Sequence, residues 1–503
     1  MLMRTLALPA LAASVVLSLS ACDPTNPAPQ SAGATPAASL AVATPSDGSL
    51  ADTSAVTANA PVTLVAPAAD RTPAGPSATP SAGASATAAA RPTASGAPTG
   101  SAAPAPSGTP VVAAGAADLK LASYDQKTGA AVLAATDNGK GGAPSPSATA
   151  AVQPGQLIDS PPTAAAPHGA LLKVTGVKPA GAGKVAVATR PASISELLGN
   201  AWADIKSALD PHKIQVTPQL KDVKASYVPN PDGGNGSASA ALELDANDSV
   251  PLPGGASATL DGSIELDPSV LFSYQGANGI LAADRAKVGF DLGAHANWHL
   301  TAALTGSTGQ VKIPIATLTA TPTVMVGEVP VVITLNLTVY AEVSADGTVT
   351  VDTTQSVDGD WAVHADYTKA GGWTGTTEPV TTKISPVRAT FSGTADVRSG
   401  LVADGSVALY DTVGVKATIE PYLKAAVDGS VTVDSSGGTP QVTGKAALSG
   451  GLDVNGAIMA RIAILGTPLI EKDLSFPLYH DEWPIVSASY SNSNTKAGVA
   501  QSN

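Results

Sequence analysis

Two histidines four residues apart, His295 and His299, are the pair whose spacing most directly suggests chemistry. On a helix, positions i and i+4 share a face and would let both imidazoles hold one zinc ion. The residues around them argue for a strand instead. Between Val288 and Leu304 the even positions are apolar (Val288, Phe290, Leu292, Ala294, Ala296, Trp298, Leu300, Ala302, Leu304), while Asp291, His295, Asn297, His299 and Thr301 take odd ones. On a strand, four residues cover about 13 Å, too far for one ion. The expectation is two polar-face histidines beside a buried Trp298.

The other ionisable groupings read similarly. His480, Asp481, Glu482 and Trp483 form the densest cluster, and Pro477 and Pro484 on either side predict a terminal turn. Asp358-Gly359-Asp360 and Asp232 to Asn235 offer oxygens to calcium but lack the spaced ligands and closing glutamate of a calcium loop, so both read first as turns. Glu265 and Asp267, at i and i+2, resemble solvated carboxylates on a polar strand face. A glycosidase would be able to keep its two carboxylates on distant strands. There is no nucleophile elbow, phosphate-binding loop or dinucleotide fingerprint. No catalytic, cofactor-binding or metal-ligating residue is assigned.

The chain has one cysteine, Cys22, which therefore cannot form an intramolecular disulfide. It closes the run Leu19-Ser20-Ala21-Cys22, behind Arg4 and an apolar stretch from Leu6 to Leu19 that is too short to span a bilayer yet suits a secretory signal. This run resembles the lipobox of bacterial lipoproteins. The resemblance implies removal of residues 1–21, diacylation of Cys22, and a membrane-anchored place in the bacterial cell envelope, facing the outside or the periplasm. Asp23 resembles an inner-membrane retention signal of two-membrane cells. Two acyl chains make attachment stable, since each buried methylene contributes about 0.8 kcal/mol.

Residues 22–115 are almost wholly Ala, Pro, Ser, Thr and Gly, with no aromatic before Tyr124 and only Arg71 and Arg91 as cations. Such a segment buries too little apolar surface to offset its ordering entropy, so a disordered tether is expected. As a coil it would span roughly 50–60 Å, and as extended polyproline II about 290 Å. The net charge is −13, or −14 once Arg4 leaves with the signal, and no basic run exists, which argues against nucleic acid and anionic lipid as partners. After the signal no apolar run has the length of a membrane helix; the nearest, Val324 to Ile333, is interrupted by Glu328 and Pro330. Phe, Trp and Tyr make up 4% of residues, so an outer-membrane barrel with aromatic girdles is not expected.

Beyond Ala116 alternation recurs in Leu242 to Asp245, Leu260 to Asp267, Val331 to Val343, Val387 to Val397, Val413 to Leu423 and Val442 to Ile458. Asp346-Gly347 and Asp428-Gly429 read as hairpin turns between such runs. Hairpins are also expected at Leu119 to Ala135 and at Ala170 to Thr189 across Ala180 to Gly183. Ile194, Leu197, Leu198, Ala201, Ile205 and Leu209 fall at helical spacing behind Ser193 as N-cap, with Glu196 three residues on and Pro211 beyond, which predicts one amphipathic helix over 193–209. The fold class is therefore all-β and mainly antiparallel, with sandwich, curved sheet and closed barrel sharing this pattern. N-terminal hairpins and helix occupy 116–210, a long-stranded domain 211–490, and a disordered tail 491–503.

Several stretches carry a second resemblance: Pro154-Gly155-Gln156-Leu157-Ile158, Ala166 to Val174, Thr189 to Leu197, Gly262 to Pro268, Pro330 to Ile333 and Ala345 to Val349. Together they are similar to an uncharacterised family of secreted bacterial β-rich proteins, which implies architecture and export and supplies no activity to carry over. Three functional readings stand: a lipid-anchored, non-catalytic β scaffold for envelope structure, adhesion or partner binding; a carrier of hydrophobic molecules in a groove of the curved sheet; and, third, an envelope hydrolase.

Overall fold

A computed structural model describes residues 62–65, 119–136, 152–181, 183–229, 240–252, 256–276, 283–377, 381–434, 439–460 and 474–489. Cys22, Asp23 and the whole of 1–21, the calcium candidate at 232–235 and the tail 491–503 lie outside them. The described residues form antiparallel β structure throughout, in one six-stranded and one fourteen-stranded sheet.

The smaller sheet is built from β1 (Thr63–Val65), β2 (Leu119–Asp125), β3 (Ala130–Ala135), β4 (Leu157–Ser160), β5 (Ala170–Pro179) and β6 (Lys184–Pro191), in the order β1-β4-β5-β6-β3-β2. Its two ends also meet, because the Val62 amide donates to the Leu119 carbonyl at 2.6 Å. Leu64, Leu121, Leu133, Ile158, Leu172 and Val187 fill the interior of this ring. β1 lies within residues 22–115, the stretch expected to be a disordered tether. Val62-Thr63-Leu64-Val65 is a short run of β-favouring residues within the Ala/Pro stretch, and Val62, Leu64 and Val65 are all buried.

Helix α1 (Ile194–Leu198) opens with the expected capping box: the Glu196 amide donates to Ser193 Oγ at 3.1 Å and the Ser193 amide to Glu196 Oε2 at 3.0 Å. It does not continue to Leu209. Gly199, at φ 57°, ends it, and β7 (Trp202–Ala208) follows, paired with the long sheet. Ala203 and Ile205 alternate with the more polar Asp204 and Lys206, and the free edge of a neighbouring strand outweighs the helical spacing. β7 is thus a strand of the long sheet although it precedes residue 211.

The large sheet adds β8 (Gln215–Pro218), β9 (Lys224–Pro229), β10 (Ala240–Pro251), β11 (Ser257–Gly276), β12 (Ala283–Leu304), β13 (Ser307–Ala320), β14 (Thr323–Val326), β15 (Val329–Thr368), β16 (Gly372–Thr377), β17 (Thr381–Leu409), β18 (Val413–Asp434), β19 (Gln441–Ala460) and β20 (Leu474–Ser489). Its backbone order is β20-β19-β18-β17-β15-β12-β11-β10-β9. β15 is 40 residues long, and along one side it pairs first with β13 and then with β12.

Asp346-Gly347, Asp428-Gly429 and Asp358-Gly359-Asp360, all expected as turns, lie inside strands. Gly347 (φ 128°), Gly393 (φ 146°), Gly429 (φ 131°) and Gly444 (φ 80°) instead mark a crease. Gly393, Gly429 and Gly444 are successive cross-strand partners on β17, β18 and β19, and Gly347 sits beside them on β15. A Cβ at any of the three would overlap a facing carbonyl oxygen, of Thr348, Thr443 or Asp428 respectively. Such glycine kinks bend strands without ending them. The sheet curls into a half-barrel, and its apolar face meets itself: a Cβ on Gly405 of β17 would lie 2.7 Å from Phe290 Cζ of β12, although the two strands are not neighbours in the sheet.

Candidate functional site

The sheet's outer face carries most of the ionisable side chains. His295 and His299 project from β12 on either side of buried Trp298, and each meets a different aspartate of β15. His295 Nδ1 pairs with Asp358, and His299 Nε2 lies 2.9 Å from Asp352 Oδ1. Glu265 lies opposite His295 on β11, with Asp267 two residues along the same polar face. Register thus spreads these groups along strands instead of gathering them.

His480 to Trp483 belong to β20 and not to a terminal turn. Pro477 and Pro484 fall beside register shifts on this edge strand, where a missing N–H is tolerated. Pairing with β19 brings His480 to Asp453 and Glu482 opposite Gly451. Arg398 of β17 is the hub of this region. Its Nε donates to Glu420 Oε1 at 2.7 Å, its Nη2 to Asp453 Oδ2 at 2.5 Å, and its guanidinium stacks 3.4 Å from the centre of the Tyr422 ring. That ring leans over Gly451, where any Cβ would collide with it. Burial opposes ionisation of Asp453, but hydrogen bonds from His480 and Arg398 outweigh it and lower the pKa. Burial, then the charge of Asp453, push Tyr422 up to about 12. Glu342, buried on β15, is raised by burial and then by Glu420. Most of the charges in this network are committed to one another.

A second cluster has more acid/base capacity. Asp291 of β12 and Asp360 of β15 become neighbours because Gly293 pairs with Asp360 and Asp291 with Ala362. Burial first, then Asp291, raise Asp360 to about 6, and Lys206 of β7 pairs with Asp291. A carboxyl raised in this way can hold a proton at mildly acidic pH. The sequence suggests Asp360 as a calcium candidate, read first as a turn, and Asp291 as a polar position; their meeting depends on the β12–β15 register.

The junction of the two sheets holds the most unusual acid. Asp159 of β4 is fully buried, and burial raises it to about 8, the hydrogen bond with Tyr410 acting the other way. Tyr410 Oη lies 2.8 Å from Asp159 Oδ1 and 3.1 Å from the Pro330 carbonyl oxygen. The tyrosine hydroxyl thus faces two acceptors, the carboxyl being the nearer. The Tyr410 hydroxyl donates to Asp159 Oδ1, and burial outweighs that bond in setting the carboxyl's raised pKa. Tyr410 and Asp411 form the turn between β17 and β18, closed by the Thr412 amide donating to the Leu409 carbonyl at 2.9 Å. Both have positive φ, 48° and 53°, the conformation of a type I′ turn. Nothing in Leu157-Ile158-Asp159-Ser160 signals a buried acid, because its partner is about 250 residues away.

On the inner face Ile194, Phe272, Tyr274, Val288, Trp373, Leu409 and Val413 line a crevice with room for about one water-sized molecule. Nearer the crease, Trp298 Nε1, Thr353 Oγ1 and Gln355 Nε2 are buried without a hydrogen-bond partner among the described residues. Trp298 and Gln355 are direct cross-strand partners, and Thr353 is two residues along the same face.

Among the described residues no group of three or more His, Cys, Asp or Glu side chains is placed to hold a metal ion, and no helix is long and apolar enough to cross a membrane. No protein family, curated protein or solved structure matches the chain.

Proposed function

We propose that the chain is a bacterial envelope lipoprotein, held by acyl groups on Cys22, that displays a non-catalytic β scaffold for envelope structure, adhesion or partner binding. The observation carrying this reading is how the long sheet is filled. Its apolar face packs on itself, with Phe290 over Gly405. Its polar face is crosslinked by strand-to-strand pairs such as Arg398 with Glu420 and Asp453. Both features suit a rigid body that presents a surface. Fractionation of cells making Cys22→Ser is the test: the variant is expected in the soluble fraction, and retention with the membranes would sink the anchor.

The carrier reading has one observation of its own. Trp298 Nε1, Thr353 Oγ1 and Gln355 Nε2 offer hydrogen-bonding groups inside an apolar layer, as a site for the polar head of an apolar ligand would. Native mass spectrometry of the Cys22→Ser chain, before and after organic extraction, separates the two. Equal masses favour the scaffold, and a lipid-sized loss favours the carrier.

A further inference from the structure

β1 is three residues long, yet it lies between β4 and the start of β2 and closes the smaller sheet. Val62 and Leu64 fill the interior of the ring, while Val65 joins the core of the long sheet. Thr63, Leu64 and Val65 pair with Asp159, Ile158 and Leu157. The slot is therefore specific in backbone register and in side chain, and it is filled by a segment remote in sequence from both neighbouring strands. Residues 66–118 separate β1 from β2, a connection rich in Ala, Pro, Ser and Thr.

We propose that this slot is a strand-acceptor site for a second copy of the chain, and that Val62–Val65 of one molecule fills the slot of another. Adding a strand to an open sheet edge is a general mode of recognition. Here the contacts made by a copy's own strand and by a neighbour's are identical, so they cancel. The balance rests on the effective concentration of the tethered strand, about millimolar or below for a connection of about 50 residues. Copies gathered on one surface, a condition that rests on the proposed anchoring at Cys22, would reach comparable concentrations, and reciprocal exchange closes a two-fold dimer.

The experiment needs no membrane, so its failure is distinguishable from failure of the anchored reading. The Cys22→Ser chain is equilibrated between about 10 μM and 1 mM, a range that brackets the tethered strand's effective concentration, and its mass is followed by sedimentation equilibrium. A synthetic peptide of residues 59–67 is added in excess to one series, and the same peptide with Leu64→Asp to another. The expected result is weight-average mass that rises towards about twofold with concentration, returns to monomer with the native peptide, and is unmoved by the Asp peptide. A monomer at every concentration would overturn the proposal, as would association that the native peptide fails to disperse.

Discussion

The crease across β15, β17, β18 and β19 and the turn between β17 and β18 solve the same backbone problem with opposite chemistry. At the crease, positive φ is carried by Gly347, Gly393, Gly429 and Gly444, and the strands continue. At the turn it is carried by Tyr410 and Asp411, residues with a Cβ penalty in that conformation, and the chain reverses. Asp-Gly ordinarily marks reversal, and a tyrosine in a strand-like run marks continuation. What decides is what surrounds each backbone. Facing carbonyls leave no room for a side chain at the crease, while the Tyr410 hydroxyl is held by Asp159 and Pro330 at the turn.

Each half of this contrast can be broken separately. The largest effect is expected from Gly429→Val, which puts a branched side chain into the Thr443 carbonyl at φ 131°. A loss of about 4 kcal/mol or more, read as collapse of the denaturation midpoint, is expected; a midpoint within error of the parent would show that the crease has slack.

Asp159→Asn probes what holds the turn. The folded pKa of Asp159, about 8, lies above its ordinary 3.8, so its contribution is full below about pH 4 and declines as pH rises towards 8. Over that range the parent is expected to lose stability on the order of 3–5 kcal/mol relative to the variant. At pH 4 the variant should be the weaker of the two, because its amide brings N–H groups to the position of Asp159 Oδ2, which has no partner among the described residues. Denaturation curves at pH 4, 6 and 8 should therefore cross, and parallel curves would mean that Asp159 is ionised in the fold.

Tyr410→Phe removes the hydroxyl that donates to Asp159 and should cost about 2 kcal/mol in denaturant at pH 6. The smallest effect has the opposite sign. Asp411→Gly relieves one positive-φ residue and should stabilise by about 1 kcal/mol, provided strain at the turn is real. No gain would indicate that contacts of the Asp411 side chain offset its backbone cost.

Most strands were legible because one face is buried: Val288 to Leu304 alternates as β12 alternates, with Trp298 inward and His295 outward. Legibility failed where local signals were correct but outcompeted. Ser193 and Glu196 do start a helix, yet Ile205 belongs to a strand because β11 supplies partners for Trp202 to Ala208. Val62–Val65 was hidden by its surroundings, four β-favouring residues in a long low-complexity stretch. The acids with raised pKa were invisible for a different reason. Asp291 and Asp360, like Asp159 and Tyr410, are brought together by register and docking over long separations, and local composition carries no record of either.

β1 also has a mechanical consequence under the proposed anchoring at Cys22. A pull applied from the N-terminal side would enter the described fold at Val62, and three paired residues would bear it before any long strand does. Those residues would yield first and the body would stay intact. Their release would pay out the connection to β2, about 50 residues and at most roughly 180 Å of contour, as a reversible extension.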